Sequence, residues 1–384
     1  MLSDEQKFFL TALSDYVHGR KTVVPDGLDE AALVSVSGQQ QTDSVLYFQT
    51  HLPALRPAFA SVTYHVVNSR RLQQQLHTAL TGAGVPYLIF KGTEIAAYYS
   101  RPELRSMGDL DLLVHRADKE KAGDILCRMG FERAAEGPED HEWAYFKREL
   151  EIELHHRLLY QDDMNEAGHV AFTDRVWEYA ATEDGVRYHL EPEFHFVYLL
   201  LHLRKHLLWA GIGVRQFLDL ALMMKNAALR WERVEETLSD LELLPFARTC
   251  FAFIERWFDI RCPIAPEQIP DGFFLSATET ILSGGVFGRL DKENLVDHDV
   301  MNTTRKHGKL LPTLSVLFPP YRQMKEKYPV MGKCPLLLPV MWVRRMLEAV
   351  FHGTAKEGLD YAAKHLVKSD AIRDREAMLK NWGL

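Results

Sequence analysis

The sequence is poor in the features that mark secreted, membrane-spanning and nucleic-acid-coating proteins. Only four cysteines occur in 384 residues, and none lies close enough to another to suggest a zinc ribbon. The opening residues MLSDEQKFFL lack the basic segment of a secretory signal, and no apolar run reaches the roughly 18 residues that span a bilayer. We therefore expect reduced thiols in the core, no transmembrane segment and a cytoplasmic location.

The chain also lacks an excess of positive charge. It carries 45 Lys and Arg against 53 Asp and Glu, a formal net charge of −8. Without a basic field we expect no binding to duplex DNA. A hydrophobic content of 47% is typical of a globular protein, and at roughly 150 residues per domain the length predicts two or three domains.

Changes of pattern along the chain predict three regions. Residues 1–86 are helical, and the apolar spacing from Ala58 to Ala83 predicts one helix that Gly82 and Gly84 end. Residues 87–160 contain several strands joined by connections too short for crossover helices, which predicts a mixed sheet. The third region, 161–384, is mostly helical, with helices at 192–208, 214–228, 231–240 and 245–257. The predicted fold class is α+β: a small mixed-sheet core between N-terminal helices and a large C-terminal helical region.

Two acids lie on one predicted strand, in the run GDLDLLV. Asp109 and Asp111 point to the same face of this strand, because side chains alternate along it. Two neighbouring carboxylates are costly to bury unless a cation neutralises them, and Mg²⁺ binds carboxylates together with substrate phosphates. The pair predicts a metal-phosphate site, and a solvated sheet edge is the alternative.

A second strand supplies further acids. In LEIELHH, which begins at Leu150, alternation places Glu151, Glu153 and His155 on one face. If this strand lies beside the first, Glu153 completes a two-metal site, and Glu151 is its rival for that role. The alternative is an exposed antiparallel strand whose acids face solvent.

A glycine turn precedes both acid strands. Gly92 follows the predicted strand Tyr87–Phe90 and allows a ligand to approach the backbone closely. Lys91 and Arg105 would add positive charge for phosphates, and Thr93 is either a phosphate ligand or a helix N-cap. The turn therefore predicts a triphosphate site.

Two pairs of residues in the helical region have less specific spacing. His202 and His206 lie four residues apart on a predicted helix, which favours packing or an orientation toward the cleft over metal binding. Arg215 and Asp219 have the same spacing, which favours an ion pair, with recognition of nucleotide or acceptor as the alternative role of Arg215.

Three motifs together resemble a known family. They are YLIFKGT at 87–93, LRSMGDLDLLV at 104–114 and IELHHRL at 152–158. The chain resembles the polymerase-β-type nucleotidyltransferase superfamily and, more narrowly, is similar to the bacterial "uncharacterised nucleotidyltransferase" family. The resemblance is specific over 87–160 and looser through 192–228. It implies that Asp109 and Asp111 are the first two catalytic metal ligands, that Glu153 is the third carboxylate and that Gly92 lies in the nucleotide-binding turn. The full set of expected nucleotide-binding residues is Lys91, Gly92, Thr93, Arg105 and Gly108.

The expected function is metal-dependent transfer of a nucleoside monophosphate from an NTP to an acceptor, with release of pyrophosphate. Mg²⁺ or Mn²⁺ would be the cofactor and ATP the favoured donor. The acceptor is a small molecule, a peptide or protein, or an RNA end, and residues 161–384 would form its side of the cleft. The alternatives are a non-catalytic nucleotide-binding or assembly module on the same fold, and a metal-dependent hydrolase.

Overall fold

The computed structural model describes residues 2–134, 142–159, 166–209, 211–286 and 376–384, together with 321, 324, 337–342 and 344. The chain divides into two compact units. The first comprises Met1–Arg289 with Trp382–Leu384, and the second comprises Leu290–Asn381. In the second unit, Met324 and Met341 are buried and contact further apolar residues, namely Tyr321, Leu337, Leu338 and Trp342. Every candidate site residue lies in the first unit.

Four helices precede the sheet: α1 (Asp4–His18), α2 (Glu30–Gln39), α3 (Asp43–Thr50) and α4 (Arg56–Ala83). Short 3₁₀ turns elsewhere in the chain are Pro53–Leu55, Pro102–Leu104, Arg116–Asp118 and Val176–Tyr179. The long helix α4 buries four apolar residues along its length, Val66, Leu72, Leu76 and Leu80. It ends at Gly84, which has a φ of 62° that glycine adopts without strain. The helix predicted from the spacing and from its closing glycine is confirmed.

The sheet has seven strands and is mixed, as predicted. The strands are β1 (Tyr87–Phe90), β2 (Asp109–Val114), β3 (Glu132–Arg133), β4 (Glu142–Lys147), β5 (Leu150–His155), β6 (Ala180–Thr182) and β7 (Arg187–Leu190). Their spatial order is β3-β4-β5-β2-β1-β7-β6. Strand β2 pairs antiparallel with β1 and parallel with β5, and β1 pairs parallel with β7. Sequence analysis assigned no strands to 180–190, where β6 and β7 extend the sheet.

One face of the sheet is covered by α4 and by α6 (Lys119–Arg128), which together with it enclose an apolar core. The sheet contributes Leu110, Leu112, Ile152 and Leu154 to this core. Gly123 of α6 lies so close to β4 that a Cβ atom there would clash with the Tyr145 hydroxyl. The core therefore leaves the opposite face of β2 and β5 for polar residues.

The remaining helices of the first unit follow the sheet. They are α7 (Ala167–Asp174), α8 (Pro192–Trp209), α9 (Val214–Asn226), α10 (Trp231–Asp240), α11 (Leu244–Phe258) and α12 (Asp271–Gly284). Four of these lie within two residues of the predicted bounds. Near the C-terminus, the Trp382 ring stacks on Phe253 at 4.7 Å between centroids. The chain thus returns to the helical region at its end.

The cysteines are free thiols wherever the structure describes them. Cys250 is buried and Cys262 is half-buried, but Cys127 is exposed near the end of α6, so the expectation of a core position is wrong for that residue. Cys334 lies outside the described residues. Within the described parts of the chain, no helix is long and apolar enough to cross a membrane.

Candidate active site

The two acid strands lie side by side in the sheet. Strand β2 pairs in parallel with β5, so that Asp109 is opposite Glu151 and Asp111 is opposite Glu153. Paired residues on neighbouring strands point to the same face of a sheet. Four carboxylates therefore share the face that lies away from the apolar core. All four line one cleft of about 680 Å³, a volume within the usual range of small-molecule sites.

Asp111 lies at the bottom of this cleft, with only 2% of its surface exposed. The ammonium of Lys91 bonds its Oδ1 at 2.6 Å, and Nε2 of His155 lies 3.2 Å from the same oxygen. Burial would raise the pKa of Asp111, but Lys91 and His155 outweigh that effect and lower the pKa to about 2. Asp111 is therefore ionised at neutral pH and already has a cationic partner.

His155 joins the two inner acids. Its Nε2 lies 3.2 Å from Glu153 as well as from Asp111. Burial lowers the pKa of His155, but its contacts with the two carboxylates outweigh burial and raise it. One ligand atom from each of Asp111, Glu153 and His155 lies within 4.8 Å of the others. Two carboxylates and an imidazole form a donor set that divalent metal ions accept.

Asp109 lies at the exposed end of β2, beside this group. Burial against the cleft walls, together with the carboxylates of Asp111 and Glu153, raises the pKa of Asp109. No ion pair involves Asp109 among the residues that the structure describes. A cation placed here would relieve the repulsion among the carboxylates.

The turn after β1 is held in an unusual conformation. Lys91 has a φ of 55° and a ψ of −121°, which is strained for any residue other than glycine. Gly92 then opens α5 (Gly92–Ala96), a helix of five residues that is shorter than the segment TEIAAYYS suggested. A Cβ atom at Gly92 would lie 3.1 Å from the guanidinium of Arg105, so the turn packs closely beneath the 105–108 loop.

Thr93 is not the helix N-cap. The cap position is Lys91, and no side chain caps the helix. The Thr93 hydroxyl instead donates a weak hydrogen bond to the sulfur of Met107 at 3.9 Å. Of its two expected roles, only that of phosphate ligand stays a prediction. Gly108, the last predicted nucleotide-binding residue, lies in the cleft lining just before Asp109.

Arg105 is committed to an internal ion pair. Its Nε and Nη2 each donate a hydrogen bond of 2.8 Å to the carboxylate of Asp219 on α9, and both residues are buried. The hydroxyl of Tyr99 donates to the same carboxylate at 2.8 Å. The favoured ion pair between Arg215 and Asp219 is therefore wrong, because Arg105 reaches Asp219 from the loop before β2. This long-range contact has no signature in helix spacing.

Helices α8 and α9 form the wall opposite the carboxylates. His202, Lys205 and His206 of α8 and Arg215 of α9 all line the cleft. Nε2 of His202 and Nε2 of His206 lie 2.9 Å apart, so one ring donates to the other. Burial and the nearby charge of Lys91 lower the pKa of His206 to about 4, and the same causes hold the pKa of His202 well below its usual value. The two rings are neutral at pH 7. They line the cleft, and an orientation toward the cleft was one of the two roles expected for them.

Sequence analysis missed two residues of this wall. Tyr198 lies one turn before His202, and Lys205 lies between the two histidines in HLRKH. Periodicity could have found both, because each lies three or four residues from a histidine already placed at the cleft.

Comparison with known proteins gives one match. A family model described as an uncharacterised nucleotidyltransferase matches residues 35–259, which is more than half of the chain. The matched segment contains β1 to β7 and helices α8 and α9, and so includes both walls of the cleft. No curated protein and no solved structure matches the chain.

Proposed function

The chain belongs to the uncharacterised nucleotidyltransferase family, and from this membership we propose that it transfers a nucleoside monophosphate from an NTP to an acceptor. An oxygen of the acceptor attacks the α-phosphorus, the bond to the β-phosphate oxygen breaks, and pyrophosphate leaves. The attacking group loses one proton. The observation that carries this proposal is the parallel register that places Asp109 and Asp111 beside Glu151 and Glu153.

Asp109, Asp111 and Glu153 would hold the metal, Mg²⁺ or Mn²⁺, with Glu151 or His155 as a further ligand. Asp111, Glu153 and His155 fit such an ion, because one ligand atom of each lies within 4.8 Å of the others, and Asp109 is next to Asp111 on the same face of β2. When bound, the metal would supply charge neutralisation for the triphosphate and activation of the attacking oxygen. Glu153, whose side chain is 23% exposed, would accept the proton of that oxygen.

The turn and the helices would position the substrates. Gly92 and Gly108 line the cleft beside the acids, and there the nucleotide would bind, with ATP as the favoured donor and Thr93 as an expected phosphate ligand. Lys91 would act on the nucleotide through its bond to Asp111. Within the region 161–384, helices α8 and α9 would supply the acceptor side. Arg105 would act through Asp219, by fixing the loop that leads into β2.

A non-catalytic nucleotide-binding module is the second candidate, and one observation favours it. Lys91 already neutralises Asp111 at 2.6 Å, as expected of a chain that does without a metal. This candidate predicts that the chain binds a nucleotide but releases no pyrophosphate, whichever metal ion is present.

The test is pyrophosphate release from each of the four NTPs, with Mg²⁺ or Mn²⁺ and with an extract as the source of acceptor. The donor carries a label on its α-phosphate, and the label should move to the acceptor. Asp109→Asn should abolish the transfer, whereas Glu149→Gln, an exposed carboxylate at the turn before β5, should leave it unchanged. Binding without transfer in wild type would favour the non-catalytic module.

A further inference from the structure

The two walls of the cleft carry opposite charge. The sheet wall presents the carboxylates of β2 and β5, and the helical wall presents Lys205, Arg215 and the two neutral histidines. When the cations of a cleft lie on one side, a bound anion has a defined orientation, because the acidic side repels it.

The basic residues nearest the turn are already compensated. Lys91 is paired with Asp111 at 2.6 Å, and Arg105 is paired with Asp219 through two hydrogen bonds of 2.8 Å. Neither is a free cation for a phosphate group. The helical wall therefore holds the remaining positive charge of the cleft.

Lys205 and Arg215 are not compensated. Both are half-buried, and neither forms an ion pair within the described part of the chain. Arg215 donates only to neutral oxygens, the side chain of Gln41 and the carbonyl of Ser106 at 3.2 Å. Its Nε is buried without an acceptor among the described residues. Polar groups withdrawn from water are normally paired, so the buried Nε of Arg215, together with an unpaired ammonium in the same cleft, indicates an anionic ligand.

The position of Arg215 limits where this anion would lie. Its bond to Ser106 holds the guanidinium over the loop that leads into Asp109. Burial and the nearby Arg105 lower the pKa of Arg215, but a guanidinium remains charged at neutral pH. The anion would thus lie between the helical wall and the start of β2, inside the cleft.

We infer that Lys205 and Arg215 form an anion subsite that takes a phosphate group opposite the carboxylates. A guanidinium and an ammonium both bind phosphate oxygens through charge-assisted hydrogen bonds. The choice of phosphate over other anions rests on the proposed function. The phosphate belongs either to the triphosphate of the donor or to a phosphorylated acceptor.

The test is calorimetric titration with inorganic pyrophosphate and with ATP, each in the presence of Mg²⁺. Lys205→Gln and Arg215→Gln should each weaken pyrophosphate binding by about tenfold, the usual effect of losing a charged hydrogen bond. Arg215→Lys should recover part of the loss. Lys21→Gln and Arg116→Gln, which remove exposed charges outside the cleft, should bind as wild type does.

The two sources of phosphate give different results. Weaker binding of both pyrophosphate and ATP assigns the subsite to the donor, and weaker binding of pyrophosphate alone assigns it to the acceptor. Wild-type affinity for pyrophosphate in the folded Lys205→Gln and Arg215→Gln variants would overturn the inference, as would failure of the wild-type chain to bind pyrophosphate. Thermal melting reports folding, and Lys205→Gln should melt as wild type does because no side-chain bond joins Lys205 to another described residue.

Failure of the subsite and failure of the proposed function remain distinguishable. A chain that binds pyrophosphate through Lys205 and Arg215 but never releases it from an NTP contradicts the transfer reaction alone. A chain that transfers the nucleotide while both variants bind pyrophosphate normally contradicts the subsite alone.

Discussion

The ammonium nitrogen of Lys91 lies 2.6 Å from Oδ1 of Asp111, at the bottom of the cleft. Asp111 is thereby neutralised before any metal or substrate arrives. Its neighbour Asp109, two residues earlier on the same strand, has no such partner among the described residues. The two acids of the D-x-D strand therefore differ in what their removal does to the folded chain.

Asp109→Asn should abolish transfer and leave stability unchanged. The variant removes one of several mutually repelling carboxylates, so the free energy of unfolding should change by less than about 0.5 kcal/mol. Loss of about 4 kcal/mol of transition-state stabilisation would lower the rate roughly a thousandfold. Denaturant unfolding measures the free energy of unfolding, and pyrophosphate release by the same preparation measures the rate. A stable variant with wild-type turnover would remove Asp109 from the proposed mechanism.

Asp111→Asn should abolish transfer and also destabilise the fold. It leaves the ammonium of Lys91 buried without its counter-charge, a loss that typically costs about 3–5 kcal/mol. Denaturant unfolding of this variant and of Asp109→Asn, run in parallel, measures the loss. Equal stability of the two variants would show that the ion pair contributes little.

Lys91→Met should make the chain depend more strongly on metal. Once the ammonium is removed, it no longer competes with a metal ion for Asp111, and the carboxylates repel one another. In EDTA the variant should melt below wild type, and addition of Mg²⁺ should raise its Tm by more than it raises that of wild type. Lys21→Met, at an exposed site, is the matched control. An identical Mg²⁺ shift in both would mean that Lys91 does not compete for the metal position.

ATP should stabilise the chain only when Mg²⁺ or Mn²⁺ is present. Four carboxylates without metal repel a polyphosphate, whereas a ligand at 100 times its dissociation constant adds about 2.7 kcal/mol to the free energy of unfolding. Thermal shifts with ATP in Mg²⁺ and in EDTA make the comparison. Equal shifts in the two buffers would rule out metal-dependent binding.

The short-range features of this site could be read from the sequence. The alternation of side chains predicted that Asp109 and Asp111 share one face of their strand and that Glu153 and His155 share one face of theirs, because a strand has a fixed period of two. The mixed sheet followed from the short connections between strands. The turn was found at Gly92, but the strained conformation of Lys91 was not, because a lysine gives no sign that its φ is positive.

Long-range contacts could not be read in the same way. Arg105 and Asp219 are 114 residues apart, and the helix spacing of Asp219 suggested Arg215 as its partner. The choice between two arginines depends on how α9 packs against the 105–108 loop, which no local pattern contains. The same is true of the bond between Lys91 and Asp111, which needs β1 and β2 to be neighbours.

Asp219→Asn should cost about 3–5 kcal/mol of stability, because it leaves the buried guanidinium of Arg105 without its carboxylate. Tyr99→Phe removes one neutral donor from the same carboxylate and should cost about 1 kcal/mol. Glu178→Gln, in an exposed ion pair with Arg175, is the control and should cost less than about 1 kcal/mol. A small effect of Asp219→Asn would mean that Arg105 finds another partner.

The free energy of unfolding should fall at acid pH because the carboxyl of Glu193 becomes protonated. Burial would raise the pKa of its carboxyl, but hydrogen bonds from Arg230 outweigh burial and lower the pKa from 4.5 to about 2. A depressed folded-state pKa contributes stability above about pH 4.5, and this contribution is lost as the pH falls toward 2. Because Arg230 is 57% exposed, we expect roughly 1–2 kcal/mol. Glu193→Gln should flatten the stability profile over this interval, and an unchanged slope would contradict the assignment.

The helical wall of the cleft can be altered independently of the sheet wall. Helices α8 and α9 share no backbone ladder with β2 and β5, so substitutions at their cleft-facing turns leave the strand register intact. A library confined to His202, Lys205 and His206 would therefore vary the size and charge of the helical wall while the acids keep their spacing. Under the proposed function, this separation would let the choice of substrate be redesigned while the carboxylates stay unchanged.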